Sequence, residues 1–301
     1  MHQHTTLVTG GTGFVGSYLL PKLERTILTT RNVARAKKKV GKHGDEFLQW
    51  SDELSIAPAT SIDAVVNLMG ESIAEGRWTQ AKKDRLRTSR VDATSTLVDE
   101  ILKLERRPKV IVAASAVGIY GDPGESEVDE SHPADDGFLG QLCSDWENEN
   151  LRLAEHGVRV VLLRIGIVLG RGGGAAEKML PVFKLGLGGK LGNGKQWVPW
   201  IHVDDLVGMI LWAIENESIS GPVNGSSPNP VRNSEMTSAM ASAVGRFAFL
   251  PAPRFALKLV LGEFAESLFS SQRVIPKAAV EGGYQFQYPT IESAFKEIVE
   301  A

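Results

Sequence analysis

The chain has 301 residues, of which 43% are hydrophobic and 23% are charged, and its formal net charge at pH 7 is −3. This length and composition are typical of a globular protein built as one large domain or as a main domain with a small lobe. A net charge close to zero excludes an overall basic field that attracts nucleic acid or an anionic membrane, so neither partner is predicted.

Three features of the sequence predict a cytoplasmic protein. Cys143 is the only cysteine, which excludes an internal disulfide and fits a reducing compartment. The first residues, MHQHTT, lead directly into a strand pattern and leave no room for a signal peptide. No apolar run reaches the ~20 residues that span a bilayer, and no metal site is predicted.

The first half of the chain alternates short β-rich runs with longer helical patterns. Runs such as 110–114 and 158–165 are apolar almost throughout, which is typical of parallel strands whose two faces are both covered by helices. The repeated strand–helix order predicts an α/β fold with a doubly wound parallel sheet. Strands are expected at 7–9, 26–29, 47–50, 63–68, 110–114 and 158–165, and helices at 14–23, 33–39, 82–104 and 138–156.

After about residue 166 the pattern changes, because glycines and prolines become frequent and the predicted helices become short. The glycine-rich segments 170–174 and 186–189 are expected to be flexible loops. We interpret this half as the completion of the sheet, followed by a small lobe on the substrate side. Helices are expected at 176–185, 204–215, 234–244 and 255–268, and a late strand at 284–288.

Gly10, Gly13 and Gly16 give a G-x-x-G-x-x-G spacing between the first strand and the first helix. At such a junction one glycine allows a turn with positive φ, one lets the main chain approach a pyrophosphate, and one lets the helix pack close to the sheet. The free N–H groups and the positive end of the helix dipole then face the phosphates. The spacing predicts a dinucleotide site; the alternative is a glycine turn with a purely structural role.

The end of the second strand predicts which dinucleotide is bound. An acidic residue usually binds the ribose hydroxyls of NAD here, whereas this chain reads Thr29-Thr30-Arg31 and has no Asp or Glu. The Arg31 guanidinium offers a fork of donors to a 2′-phosphate, a charge-assisted contact worth about 1.5–3 kcal/mol. The predicted cofactor is therefore NADP (NADPH); the alternative is that Arg31 only solvates a loop.

Several motifs together resemble one known superfamily. TGGTGFVG (9–16), NLMG (67–70), SAVGIYG (115–121) and WIHVDD (200–205) are similar to the extended short-chain dehydrogenase/reductases. The chain more narrowly resembles their "epimerase family protein" branch, whose members are also labelled sugar-nucleotide epimerases or cell-division inhibitors. This narrower resemblance rests on the motifs NLMGESI (67–73), RWT (77–79), SDWE (144–147), RIGIVLGRGGG (164–174), SQRVIP (271–276) and GGYQFQYP (282–289).

The resemblance implies a Rossmann-type doubly wound sheet with a small C-terminal lobe. We expect an NAD(P)-binding domain at 1–225, in which 170–200 contributes to the substrate side, and a family-specific lobe at 226–301. The residues implied to bind the nucleotide are Gly10, Thr12, Gly13, Phe14, Val15, Gly16, Thr30, Arg31, Leu68, Met69, Gly70, Arg85, Arg90, Ser115 and Ile167.

The catalytic pair of the superfamily is missing from this chain. Extended members use a tyrosine, and a lysine four residues later, as the apparatus for proton transfer, whereas the corresponding positions here hold Leu139 and Cys143. Ala116 stands where the strand-end hydroxyl usually lies. The remaining candidates for a catalytic role are Ser115 and Tyr120.

Other polar residues near these motifs have simpler interpretations. Arg90 stands where many members carry an asparagine, which fits extra phosphate charge, and a surface ion pair is the alternative. Glu147 is expected to bind backbone or to cap a neighbour. His202 is assigned to a structural turn in which Asp204 lies at an N-cap-like position.

Trp197 and Trp200 are expected either to line a pocket or to belong to the lobe core. The function predicted from all of these features is that of an NADP-binding oxidoreductase or epimerase acting on a small or nucleotide-linked substrate by an atypical mechanism. The alternative is a non-catalytic, NADP-sensing regulatory protein. The sequence leaves open the substrate and whether the chain is a monomer or a homodimer.

Overall fold

The computed structural model describes residues 4–51 and 53–300, so the first three residues of MHQHTT lie outside the described part. Among the described residues no helix has the length and apolar character needed to cross a membrane. The strands are β1 (Thr5–Thr9), β2 (Arg25–Thr30), β3 (Glu46–Gln49), β4 (Ala64–Asn67), β5 (Val110–Ala116), β6 (Glu127–Val128), β7 (Arg159–Ile165), β8 (Ile167–Gly170), β9 (Trp197–Val198), β10 (Trp200–His202), β11 (Gly221–Gly225), β12 (Val231–Arg232) and β13 (Arg273–Val274).

The α-helices are α1 (Phe14–Leu19), α2 (Val33–Val40), α3 (Gln80–Arg87), α4 (Ala93–Leu102), α5 (Phe138–Leu151), α6 (Gly174–Lys184), α7 (Val203–Glu215), α8 (Asn233–Ala243), α9 (Arg254–Leu261), α10 (Phe264–Ser267), α11 (Lys277–Glu281) and α12 (Ile291–Glu300). Shorter 3-10 turns lie at Leu20–Lys22, Gly41–His43, Val117–Tyr120 and Ala154–His156, and a π-helical turn lies at Thr88–Asp92.

Seven parallel strands form the central sheet in the order β11-β7-β5-β4-β1-β2-β3. The predicted doubly wound α/β fold and its six predicted strands are confirmed, and β11 adds a seventh strand. The strand order reverses between β1 and β4, which run side by side with Thr9 opposite Asn67. Because ligands of open α/β sheets bind in the crevice at such a reversal, the glycine turn after β1 lies at the expected place.

Helices cover both faces of the sheet, which explains why its central strands are apolar almost throughout. Successive residues of a strand point to opposite faces. Val8 therefore belongs to the core shared with α1 and α7, whereas Leu7 belongs to the core shared with α4.

A third core joins the segment around 169–200 to the C-terminal elements. Trp200 is fully buried there in a cluster with Met240 of α8 and Phe295 of α12, so it belongs to the lobe core and not to a pocket wall. The segment 170–174, expected to be a flexible loop, is instead a tight turn closed by bridges from Leu169 to Gly174 and from Gly170 to Gly173. The domain division at residue 225 stays a prediction.

Three predicted elements differ from the structure. The helix expected at 82–104 is divided into α3, the π-helical turn and α4, and the helix expected at 255–268 is interrupted at Gly262, whose φ is +64°. The strand expected at 284–288 is wrong, because none of these residues lies in a strand. The N–H groups of Gln287 and Tyr288 donate to the Asp205 carboxylate, at 2.7 and 2.9 Å, instead of to a neighbouring strand.

Candidate cofactor site

The turn after β1 is shaped by glycines with different roles, as their spacing predicts. Gly10 has a φ of +66°, and a Cβ there would lie 2.5 Å from the Leu68 carbonyl oxygen. A Cβ on Gly16 would lie 2.6 Å from the carbonyl carbon of Gly11, so α1 approaches the turn as closely as only glycine allows. Gly13 is exposed, with its N–H donating to the Gly10 carbonyl at 2.8 Å. The turn is closed on its inner side and open at Gly13.

Helix α1 begins at Phe14 with no side chain capping it. The N–H groups of its first turn, from Phe14 to Gly16, have no intrahelical acceptor because they precede the first helical hydrogen bond. Thr12 is half-buried in the turn itself, and half-buried Val15 packs against the core. These uncapped donors at the crevice fit the oxygens of a pyrophosphate.

The Phe14 ring rests on the glycine-rich turn at 170–174. A Cβ on Gly173 would lie 2.6 Å from the Phe14 Cγ atom. Tyr18 packs edge-on against Phe14 with ring centroids 5.5 Å apart, and its hydroxyl donates to the Arg171 carbonyl at 3.0 Å. The distant turn therefore fixes the position of the first residue of α1.

Strand β2 ends at Thr30, and Arg31 follows it at the same edge of the sheet. The Thr30 hydroxyl accepts the N–H of Asn32 at 3.2 Å, and Asn32 in turn caps α2. Arg31 is exposed, and its guanidinium makes no hydrogen bond or ion pair with any residue that the structure describes. The sequence 26–44 holds no acidic residue. Arg31 is therefore free to bind a phosphate.

The residues that follow β4 beside the glycine turn are half-buried Leu68 and Met69 and exposed Gly70. Beneath them, the buried Asn67 side chain accepts from the Thr9 hydroxyl at 2.7 Å and donates to the Thr94 hydroxyl at 3.1 Å. This buried amide fixes the end of β4 against both β1 and α4.

Arg90 lies in the π-helical turn, half-buried beside Gly70. Its guanidinium donates to the Glu71 carbonyl at 2.9 Å and lies over the Trp146 ring at 5.3 Å. Within the described residues its hydrogen bonds reach only carbonyl oxygens and the Ser89 hydroxyl. Burial lowers the pKa of Arg90, and a buried guanidinium without a hydrogen-bonded carboxylate favours an anionic ligand. The surface ion pair considered for Arg90 is therefore wrong.

Two other predicted binding residues lie nearby. Arg85 is exposed and forms a surface ion pair, with its Nε 3.3 Å from the Glu71 carboxylate. Glu71 also accepts a hydrogen bond from Lys82, and this bond with the two positive charges lowers the pKa of Glu71. Ile167 is half-buried at the start of β8, directly past the end of β7. Cofactor contacts of Arg85 and Ile167 stay predictions.

A buried polar network lies at the end of β5. The Ser115 hydroxyl donates to the Glu147 carboxylate at 2.6 Å. Glu147 forms a bidentate ion pair with Arg164 of β7, with both nitrogen–oxygen distances at 2.9 Å. The Tyr120 hydroxyl accepts from Arg164 at 2.9 Å and donates to Asn224 at 2.7 Å. All five side chains are buried.

The network determines what Ser115 and Tyr120 can do. Burial raises the pKa of Tyr120 to about 12. Burial by itself lowers the pKa of Arg164, but the hydrogen bonds and charges of Glu147 and Tyr120 leave that pKa raised, so the guanidinium stays charged. Because both hydroxyls are held by buried partners, the geometry favours a structural role for them. The expectation that Glu147 binds backbone or caps a neighbour is wrong.

Comparison with known proteins identifies the family. The profile described as "NAD dependent epimerase/dehydratase family" matches residues 6–224. The chain belongs to this family. Its predicted place among the extended short-chain dehydrogenase/reductases is thereby confirmed. A second profile, described as "Domain of unknown function (DUF1731)", matches residues 252–298.

Relatives named as epimerase family proteins match along nearly the whole chain. The Arabidopsis thaliana protein "Epimerase family protein SDR39U1 homolog, chloroplastic" is 40% identical, over 99% of this chain and 87% of its own. The Homo sapiens protein "Epimerase family protein SDR39U1" is 38% identical, over 97% and 99%. Because one relative is named chloroplastic, the cytoplasmic location stays a prediction.

A solved structure matches the fold of this family member closely. The crystal structure of human epimerase family protein SDR39U1 (isoform 2) with NADPH superposes with a TM-score of 0.90. It is 36% identical and covers 98% of this chain and 99% of its own. The predicted Rossmann-type fold is confirmed.

Unreactive side chains lie at the two positions that the sequence predicts for the superfamily's proton-transfer pair. Leu139 is half-buried against Gly118, where an added Cβ would lie 3.4 Å from the Leu139 Cδ1 atom. Cys143 is buried in a cluster with Val117 and Ile119, and burial raises the pKa of its thiol to about 12. Neither side chain exchanges a proton near neutral pH.

His202 has the structural role expected for it in this family member. It is buried, its Nδ1 accepts the N–H of Asp204 at 3.3 Å, and its Nε2 lies 3.1 Å from the Glu297 carboxylate. The N-cap of α7 is His202 and not Asp204, which lies in the first turn. Trp197 is half-buried. The guanidinium carbons of Arg232 and Arg273 lie 4.3 and 5.1 Å from the centroid of its ring.

Sequence reasoning missed two features of this site. The Glu147–Arg164 pair could have been predicted from the sequence, because an arginine inside an apolar strand requires a buried counter-charge. The contact of α1 with the 170–174 turn had none, because Tyr18 and Arg171 are 153 positions apart.

Proposed function

We propose that this chain binds NADP(H) in the crevice between β1 and β4 and prefers it to NAD(H). The observation that carries the proposal is an uncapped glycine turn beside an unpartnered arginine at the end of the next strand. The turn at 10–16 offers backbone donors to the pyrophosphate, and Arg31 offers a fork of donors to the 2′-phosphate. A relative 36% identical to this chain was crystallised with NADPH, which supports the same assignment.

The other residues around the crevice fit the same ligand. Arg90, half-buried beside Gly70 without a hydrogen-bonded carboxylate, would compensate negative charge on the bound nucleotide. Thr30, Leu68 and Met69 would contact its adenosine side. When bound, the cofactor supplies a hydride donor or acceptor, and the chain's own residues bind and orient it.

We propose further that the reaction is hydride transfer or epimerisation on a small or nucleotide-linked substrate, without a tyrosine–lysine pair. Leu139 and Cys143 occupy the two positions, and Ser115 and Tyr120 are held in the buried network. A positioned acid or base contributes typically about 10²- to 10⁴-fold in rate. We therefore expect slower turnover than in relatives that retain the pair.

Calorimetric titration with NADPH and NADH tests the cofactor proposal. We expect NADPH to bind at least about 10-fold more tightly, and Arg31→Ala to remove this preference by weakening NADPH alone. Arg25→Ala is the matched control, because Arg25 is also exposed but lies at the opposite end of β2. Equal affinity of the wild type for both cofactors, or binding of neither, overturns the proposal.

A second candidate function is a non-catalytic NADP sensor. The filled proton-transfer position and the satisfied hydroxyls of Ser115 and Tyr120 favour it. It predicts that a broad panel of carbonyl substrates and sugar nucleotides gives no turnover, while NADP still raises the melting temperature through ligand linkage. Turnover of any panel member with NADPH supports the enzyme instead. A NAD-linked epimerase, a third possibility, predicts NAD retained through purification.

A further inference from the structure

Exposed hydrophobic side chains are concentrated in one part of the chain. Ten large hydrophobic residues are exposed among those the structure describes, and eight of them fall in the segments 182–187 and 247–259. Five of the eight are more than 70% exposed. The eight residues, called here the apolar patch, are Val182, Leu185, Leu187, Phe247, Phe249, Leu250, Phe255 and Leu259.

The two segments that carry the apolar patch lie against each other. Arg246 donates from Nε to the Lys184 carbonyl at 3.2 Å. The Ala252 N–H donates to the Lys190 carbonyl at 2.9 Å, and Leu191 forms a backbone bridge with Ala252. Segments far apart in sequence therefore lie side by side, and exposed hydrophobic residues concentrated in this way usually mark an interaction site.

The charged residues in the two segments and beside them are basic between Lys178 and Gly192 and between Arg246 and Leu261, and Glu177 and Glu263 lie just outside these ranges. The sequences 178–192 and 246–261 contain six basic residues and no acidic residue, in a chain whose net charge is −3. Arg254 and Lys258 share an ion pair with Glu266 of α10, whereas Lys184 and Lys190 have no ion pair among the described residues. The patch is an apolar surface with a basic border.

We propose that the apolar patch docks on the surface of an anionic lipid bilayer. Phenylalanine and leucine side chains would enter the boundary between headgroups and acyl chains, while the lysines and arginines would approach the lipid phosphates. The absence of a membrane partner was predicted from the net charge of the whole chain and from the lack of a spanning run. The net charge and the lack of a spanning run are properties of the whole chain, and they do not describe the local surface that the apolar patch forms.

The charge pattern favours a bilayer over a second copy of the chain. A twofold dimer formed through this surface would place the same patch on both subunits. The two basic borders would then face each other, and like charges across an interface are unfavourable. An anionic membrane surface complements both the apolar and the basic part of the patch.

Sedimentation of the purified 301-residue chain with vesicles tests the proposal. We expect binding to phosphatidylcholine vesicles that contain about 30% phosphatidylglycerol, weak binding to phosphatidylcholine alone, and weaker binding as salt shortens the Debye length. The combined change Phe247→Ser, Phe249→Ser and Phe255→Ser should weaken binding to anionic vesicles at least about 10-fold. Lys184→Gln with Lys190→Gln should weaken it about fivefold per lysine.

The chain offers its own control for the loss of exposed hydrophobic residues. Among the residues whose exposure is described, Leu151 and Val280 are the two exposed large hydrophobics outside the patch, at 39% and 53% exposure. Leu151→Ser with Val280→Ser should leave vesicle binding unchanged, and circular dichroism and melting temperature check that all variants are folded. The proposal is overturned if anionic vesicles do not bind the wild type at low salt, or if the phenylalanine variant binds equally well. Self-association of the wild type that is lost in that variant, without vesicle binding, overturns it in favour of a second copy.

Discussion

Two regions at the same edge of the sheet are built in opposite ways. At the turn after β1, backbone donors are uncapped, Gly13 is exposed, and Arg31 has no partner among the described residues. At the end of β5, the polar side chains of Ser115, Tyr120 and Glu147 are all buried and hydrogen-bonded. The first region is open to a ligand, and the second is closed on itself.

This difference separates cofactor binding from proton transfer. Polar groups that bind a ligand have to remain unsatisfied by the protein, whereas buried groups without partners destabilise the fold. We therefore expect the polar network beside β5 to contribute to the stability of the native state and not to proton transfer. The following changes test this division, from the largest expected effect to the smallest.

Glu147→Gln should have the largest effect, and on stability. It leaves the Arg164 guanidinium buried without its counter-charge, so we expect the free energy of unfolding to fall by about 3–5 kcal/mol, measured by urea denaturation. Glu149→Gln is the control on the same helix, because the Glu149–Arg152 pair is partly exposed and should contribute less than about 1 kcal/mol. Equal effects of the two changes contradict a closed, structural network.

Gly10→Ala should have its main effect on cofactor binding. The new Cβ collides with the Leu68 carbonyl and displaces the turn from β4, so we expect NADPH affinity to fall roughly 100-fold, about 2.7 kcal/mol. Gly157→Ala is the control, because Gly157 has a similar φ of +79° but no neighbour within 4 Å. It should lower stability by about 1–2 kcal/mol through backbone strain and leave NADPH affinity intact. Retained affinity in Gly10→Ala is the contrary outcome.

Cys143→Ala should change how stability depends on pH. The buried thiol keeps its proton up to a pKa of about 12, whereas the ordinary value is 9.0. As pH rises above about 9, the unfolded state loses the proton first, so the free energy of unfolding falls by up to about 1.4 kcal/mol per pH unit. Below pH 9 this contribution is fully present. Urea denaturation between pH 8.5 and 10.5 should show a shallower decline of the free energy of unfolding in Cys143→Ala than in the wild type. Parallel declines in the two proteins would contradict the buried environment of the Cys143 thiol.

Gly173→Ala should have the smallest effect, because it acts on the cofactor turn from a distance. The added Cβ meets the Phe14 ring and shifts the start of α1, so we expect NADPH affinity to fall about fivefold, roughly 1 kcal/mol. Gly172→Ala is the neighbouring control, since its φ is +66° but no atom lies within 4 Å of the added Cβ. Calorimetry should show reduced NADPH affinity only in Gly173→Ala. If both variants bind NADPH with the same affinity, the contact of Phe14 with Gly173 does not position the cofactor turn.

The sequence by itself determined the parts of this protein that depend on short stretches of chain. The G-x-x-G-x-x-G spacing, the alternation of apolar strands with helices, and the lack of a Tyr-x-x-x-Lys motif in the segment 138–147 are all local. The strand wrongly expected at 284–288 was also a local pattern. Its N–H groups bind Asp205, a partner that no short stretch contains.

Only the tertiary structure decided which side chains are open and which are paired. Arg85 and Arg90 look equivalent in sequence, yet Arg85 is exposed in an ion pair and Arg90 is half-buried over the Trp146 ring. Tyr120 looks available, yet its hydroxyl binds Asn224, 104 positions away. The physical reason is that a hydrogen bond or an ion pair depends on distance in space, and folding brings together residues that sequence proximity does not connect.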